Sequence, residues 1–88
     1  MKSLLVTIPA GGSTAATTQD LYASTMILKA SGTDYMGGSD VSSTKGVPVG
    51  TTTPTTVVCA TPRGMSLKNL YFSGTNGDTI IIVYEPSA

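Results

Sequence analysis

The chain has 88 residues, five basic and five acidic, with no histidine and a single cysteine. So neutral a sequence lacks the basic stripe that nucleic acid or an anionic membrane surface attracts, and no apolar run approaches the roughly 20 residues that span a bilayer. Without histidine there is no Ser-His-Asp or Cys-His centre, and one cysteine closes no internal disulfide and anchors no ordinary zinc site.

The length bounds a single β-domain over residues 1–88. A chain this short buries only about 60–65% of the surface it exposes when unfolded, so its stability margin is thin. With disulfide and metal set aside, oligomerisation is the remaining source of support. Thr and Ser supply 25 residues and Gly another 10. Disorder goes with few β-branched residues and high net charge; here Val, Ile and Thr abound and the charge is zero, which favours a threonine-rich β-fold.

Ser3 to Ile8 reads as a strand, with Leu4, Val6 and Ile8 on one face. Its apolar run is broken by Thr7 and Pro9, so it reads as mature protein rather than a signal peptide. Residues 9–13 end it, and Ala15 to Gln19 reads as a short edge strand. Leu21 to Ala30 is rich in β-branched and aromatic residues and reads as strand, with helix as the alternative. Tyr35-Met36 begins a short strand, and Gly46 to Val49 is an extended piece held to an edge by Pro48. Thr55 to Ala60 alternates in strand fashion, Pro62-Arg63-Gly64 turns the chain, and Leu67 to Phe72 reads as a strand. Asn76-Gly77 suits two successive positive φ values and predicts a hairpin into a last strand, Thr79 to Tyr84. The expected fold is all-β: a small antiparallel β-sandwich or jelly-roll-like barrel of six to eight short strands.

The loop Ser39-Asp40-Val41-Ser42-Ser43-Thr44-Lys45 invites a chemical reading, because Ser42 and Lys45 have S-x-x-K spacing. Enzymes with that spacing stack the two side chains on one helical turn and lower the lysine pKa by burial. Glycines flank this loop and no helix is predicted around it. The phosphate-loop order G-x-x-x-x-G-K-[ST] is also absent. The loop therefore reads as architecture: Gly37 and Gly38 release a strand, Ser39 and Asp40 bond local backbone groups, and Gly46 restarts the chain. It remains the candidate partner-contact loop. Asp34, Asp40 and Asp78 show no calcium-loop spacing and read as turn residues accepting backbone N–H bonds. Cys59 reads as a buried inert thiol. Tyr22, Tyr35, Tyr71 and Tyr84 read as core-edge packing, with a sugar-stacking platform as the alternative. No catalytic, cofactor-binding or metal-binding residue is assigned.

Two stretches carry a likeness. The first is Tyr35-Met36-Gly37-Gly38-Ser39-Asp40-Val41 with Gly46-Val47-Pro48-Val49. The second is Leu70-Tyr71-Phe72-Ser73-Gly74 with Gly77-Asp78-Thr79-Ile80-Ile81-Ile82-Val83-Tyr84-Glu85. Together they resemble small tailed-bacteriophage virion proteins of the capsid decoration, or cement, type, across roughly the last 55 residues. Ile81 stands where that pattern has a polar residue. The resemblance implies a β-sandwich or jelly-roll module without catalytic residues or cofactor. Such a module is made in the host cytoplasm, assembles as a homotrimer and binds the major capsid protein on the capsid exterior. A tail or head-fibre component is a neighbouring reading; a secreted carbohydrate-binding or adhesive β-module is the alternative of another class. Ile80-Ile81-Ile82-Val83 is apolar at four successive positions, so both faces of that strand need cover. Ile81 and Val83 are the candidate subunit interface.

Overall fold

The computed structural model describes residues 1–59 and 63–86. The described residues form nine strands: β1 (Lys2–Thr7), β2 (Ser13–Ala15), β3 (Tyr22–Ala30), β4 (Tyr35–Gly37), β5 (Val47–Pro48), β6 (Thr55–Val58), β7 (Met65–Ser66), β8 (Tyr71–Ser73) and β9 (Thr79–Pro86). One 3-10 turn, Leu67–Asn69, precedes β8. All strand pairs are antiparallel, and they form two sheets. The five-stranded sheet runs β1-β9-β3-β6, with β7 also beside β3; the four-stranded sheet runs β2-β8-β4-β5. The fold is an antiparallel β-sandwich with more strands than the six to eight expected. The excess comes from two-residue pieces such as β5 and β7, too short to leave a period-two signature.

Alternation explains the larger sheet. Lys2 lies opposite Tyr84 and Thr7 opposite Thr79, so the two ends of the chain pair along their whole length. Leu4, Val6, Ile80, Ile82, Tyr84, Met26 and Leu28 share the inward face and meet Leu70 and Phe72 from the other side. In β3 the alternation slips: Ala23 and Met26 are both buried although three positions apart. A register shift between Ala23 and Thr25 absorbs the extra residue, as a bulge does. Of the two readings of 21–30, strand holds.

Two expectations are corrected. Leu67 to Phe72 is not one strand. Leu67 and Leu70 are both buried, a spacing of three that one 3-10 turn satisfies and a strand cannot. Asn76-Gly77 does not close a hairpin either, since β8 and β9 belong to different sheets. Gly77 has φ +93°, no non-glycine residue has positive φ among the described residues, and the Asp78 amide donates to the Thr75 carbonyl at 3.0 Å. Those signs match a type II turn, which needs glycine only at its third position. The other boundaries move by a few residues: the edge strand is Ser13–Ala15 rather than 15–19, and β9 continues to Pro86. Ala60 and Pro62, assigned above to a strand end and a turn, lie outside the described residues.

Candidate interaction surface

Residues 38–46 join β4 to β5, which are neighbours in the same sheet, so the serine-rich loop is a hairpin connection. Its polar groups largely satisfy one another. Ser42 Oγ accepts from the amides of Thr44 and Lys45 at 3.3 and 3.2 Å and lies 3.1 Å from Thr44 Oγ1. Ser42, rather than Ser39 or Asp40, thus bonds the local backbone. The Lys45 ammonium lies 3.8 Å from Asp40 Oδ2, in an exposed pair. Val41 is buried and anchors the loop; Ser39, Asp40, Ser43, Thr44 and Lys45 are exposed.

The outward face of the five-stranded sheet is the larger anomaly. Leu5 is 67% exposed, Val58 73%, Ile81 49% and Ile27 38%. Leu5 lies opposite Ile81, and Val83 lies opposite both Ser3 and Ile27. These side chains make one apolar stripe across β1, β9 and β3, with Val58 at the β6 edge beside Thr25. Val83 is half-buried within it. β9 therefore has the two apolar faces its sequence predicts, with Ile80, Ile82 and Tyr84 inside and Ile81 outside. The sequence reading had not brought in Leu5, Ile27 or Val58. Leu5 was visible as an apolar residue out of phase with Leu4, Val6 and Ile8; the cross-strand pairing that joins it to Ile81 was not.

A second apolar opening lies where the sheets part. Met26, Val57 and Met65 from the larger sheet, Met36 and Val47 from the smaller one, and Leu70 just before β8 line a groove of about 400 Å³. Val47 shares a face with the buried Phe72 through Met36, yet it is 57% exposed because this side of the sandwich stays open. Gly37 and Gly38 also line the groove, which places the 39–45 loop at its rim. Methionine suits such an opening, being unbranched and adaptable.

The remaining singled-out residues sort by burial. Tyr84 faces the core, while Tyr22 is half-buried with the Arg63 guanidinium 5.1 Å from its ring centre. Tyr35 and Tyr71 are half-buried diagonal neighbours on the outward face of the smaller sheet. Cys59 is a free thiol and only partly buried, because the chain is leaving β6 there. Asp34 and Asp78 do not behave as independent turn residues: they lie together, beyond the opposite end of β4 from the hairpin loop. Compared with known proteins, the chain matches no family model, no curated protein and no solved structure.

Proposed function

We propose that the protein is a non-enzymatic structural component of a phage virion, a decoration or cement protein. It forms a homotrimer in the host cytoplasm and then binds the major capsid protein on the capsid exterior. The observation that carries this reading is the outward apolar stripe of Leu5, Ile27, Val58 and Ile81. A contiguous apolar sheet face marks an association surface or an aggregation hazard. Covering four partly exposed aliphatic side chains is worth roughly 4 kcal/mol per subunit before the cost of association. Part of the two stretches that resemble cement proteins lies side by side, since β8 pairs with β4 and β4 with β5, while β9 belongs to the other sheet. We assign the subunit contact to Ile81, Val83 and their cross-strand neighbours. The capsid contact is assigned to the 39–45 loop and the groove it borders. Weak contacts repeated over a capsid lattice gain from avidity.

A second reading, a carbohydrate-binding or adhesive module, is favoured by one observation, the adjacent Tyr35 and Tyr71 on the outer face of the smaller sheet. Glycan-array binding that is lost in Tyr71→Ala would support it.

Light scattering at micromolar concentration tests the main reading. The expected mass is about three times the 8.9 kDa of the chain, and Leu5→Asp or Ile81→Asp reduces it to monomer with the β-sheet circular dichroism unchanged. A wild-type mass of one chain overturns the trimer. An unchanged oligomer in both variants moves the contact elsewhere. Failure to co-sediment with capsids overturns the capsid assignment.

A further inference from the structure

Three connections between the sheets converge on one carboxyl group. Residues 8–12 lead from β1 to β2, residues 31–34 from β3 to β4, and residues 74–78 from β8 to β9. Their main chains are tied together. The Ile8 amide donates to the Asp78 carbonyl at 2.8 Å, the Gly77 amide to the Ile8 carbonyl at 2.9 Å and the Gly74 amide to the Gly12 carbonyl at 3.0 Å. The Ser31 amide donates to the Thr79 carbonyl and the Thr79 amide to the Ser31 hydroxyl, both at 2.9 Å. At the centre is Asp34, 1% exposed and the only buried charged side chain among the described residues.

Neither Asp34 Oδ1 nor Oδ2 meets a donor at hydrogen-bonding geometry. The amides of Thr75 and Gly32 lean toward the carboxyl, and the Asp78 carboxyl lies within its reach. Two glycines permit that approach. A methyl group on Gly74 would overlap Asp34 Oδ1, and one on Gly32 would stand 2.7 Å from Asp78 Oδ2. A buried carboxylate beside a second, half-buried one is disfavoured unless a positive charge offsets the pair. A cation would require a shell of oxygen ligands. Here amides lean toward Asp34, and the Gly74 backbone packs against the oxygen where such a shell would stand. A proton needs no such shell.

We propose that Asp34 and Asp78 form a proton-operated clasp, in which Asp34 donates one shared proton to Asp78 and so locks the three connections together. Loss of that proton to solvent leaves two unpaired like charges and loosens this end of the sandwich. Burial first, then the hydrogen bond to Asp78 and its negative charge, pushes Asp34 from 3.8 up to about 6; the Thr75 and Gly32 amides pull less strongly the other way. No other charged group competes. Residues 8–16 and 46–50 contain nothing titratable, 73–79 contain only Asp78, and 30–35 only Asp34 and the Tyr35 phenol. Lys29, at the end of β3, is exposed on the outward face opposite Ile81.

The folded-state pKa is the raised one, so the stabilisation is fully present below the unfolded value and is lost as pH rises through about 6. Denaturant unfolding of the wild-type protein at pH 5 and pH 7.5 should show a folding constant about tenfold larger at pH 5. The carbon resonance of the Asp34 carboxyl should titrate near 6. Beyond the intrinsic pH effect, the Ile8, Ser31 and Thr79 amides should exchange faster at pH 7.5. Asp34→Asn, whose amide donates to Asp78 at any pH, should lose the pH dependence and equal or exceed the wild type at pH 7.5. Equal or greater wild-type stability at pH 7.5, or an Asp34 midpoint below about 4.5, overturns the clasp. So does a rise in wild-type melting temperature at pH 7.5 with millimolar calcium chloride that Asp34→Asn lacks, which would assign the pair to a cation. The wild-type measurements decide the matter even if the variant fails to fold.

Discussion

Residues 38–46 and residues 73–78 are both short, polar and rich in glycine, yet the molecule uses them in opposite ways. The first is a hairpin within one sheet, faces solvent, and carries Ser39, Ser43, Thr44 and Lys45 on the outside. Its Ser42 hydroxyl accepts from its own backbone, and its Lys45–Asp40 ion pair lies in water. The second crosses between the sheets and lies against the buried Asp34. The segment with the more reactive-looking composition thus lies in solvent, and the plainer one lies against a carboxyl whose pKa burial raises. A carboxyl removed from water is harder to ionise. Burial, which local composition does not encode, makes the difference.

Five substitutions sharpen that contrast. The largest effect is expected at Gly74, where alanine would force the Asp34 carboxyl out of its place. Gly74→Ala should cost about 2–3 kcal/mol in denaturant unfolding, a loss typical of overpacked interiors. Its counterpart Gly38→Ala, whose new methyl would meet Asp40 Oδ1 at an ordinary 3.6 Å, should change stability by less than about 0.5 kcal/mol. Similar losses at the two glycines would erase the distinction between the connections. A smaller effect is expected at Gly77, which has open space around it but a φ of +93°. Gly77→Val should cost about 1 kcal/mol or more through backbone strain alone, and an unchanged melting temperature would refute the type II turn. The smallest belongs to the hairpin loop. Ser42→Ala removes an acceptor from two exposed amides and should cost about 0.5–1 kcal/mol. Lys45→Ala breaks only an exposed pair and should be nearly neutral. An enzymatic activity lost in the double variant, with the fold intact, would reverse the reading of this loop.

The same division between local and distant cause runs through β9. That both of its faces are apolar follows from Ile80-Ile81-Ile82-Val83 alone, because successive strand side chains point to opposite sides. Which face fills the core depends on pairing with β1 and β3, and it is Ile80 and Ile82 that are buried. The outward stripe then acquires Leu5 from the other end of the chain and Ile27 from its middle. No window of sequence contains the stripe, so sequence reading found only the part of it that lies on one strand.

By itself the sequence determined the β class, the approximate position of the longer strands and the two-sided character of the last one. Those follow from side-chain alternation and from Gly, Pro and Asn punctuation, which act over a few residues. It also placed the serine-rich segment between two strands, because Gly37, Gly38 and Gly46 mark its ends. Only the tertiary structure decided which sheet each strand joins, and therefore that Asn76-Gly77 crosses between sheets whereas the 38–46 loop does not. Only it turned Leu67 to Asn69 into a 3-10 turn, since Leu67 and Leu70 both had to reach a core made by other strands. Asp34 is the clearest case: the run Ser31-Gly32-Thr33-Asp34 says turn. Its burial comes from Gly74, forty residues away, and from Asp78, brought beside it when the two sheets close. Alternation and turn propensity are properties of adjacent residues. Burial and like-charge contact belong to residues that only folding brings together.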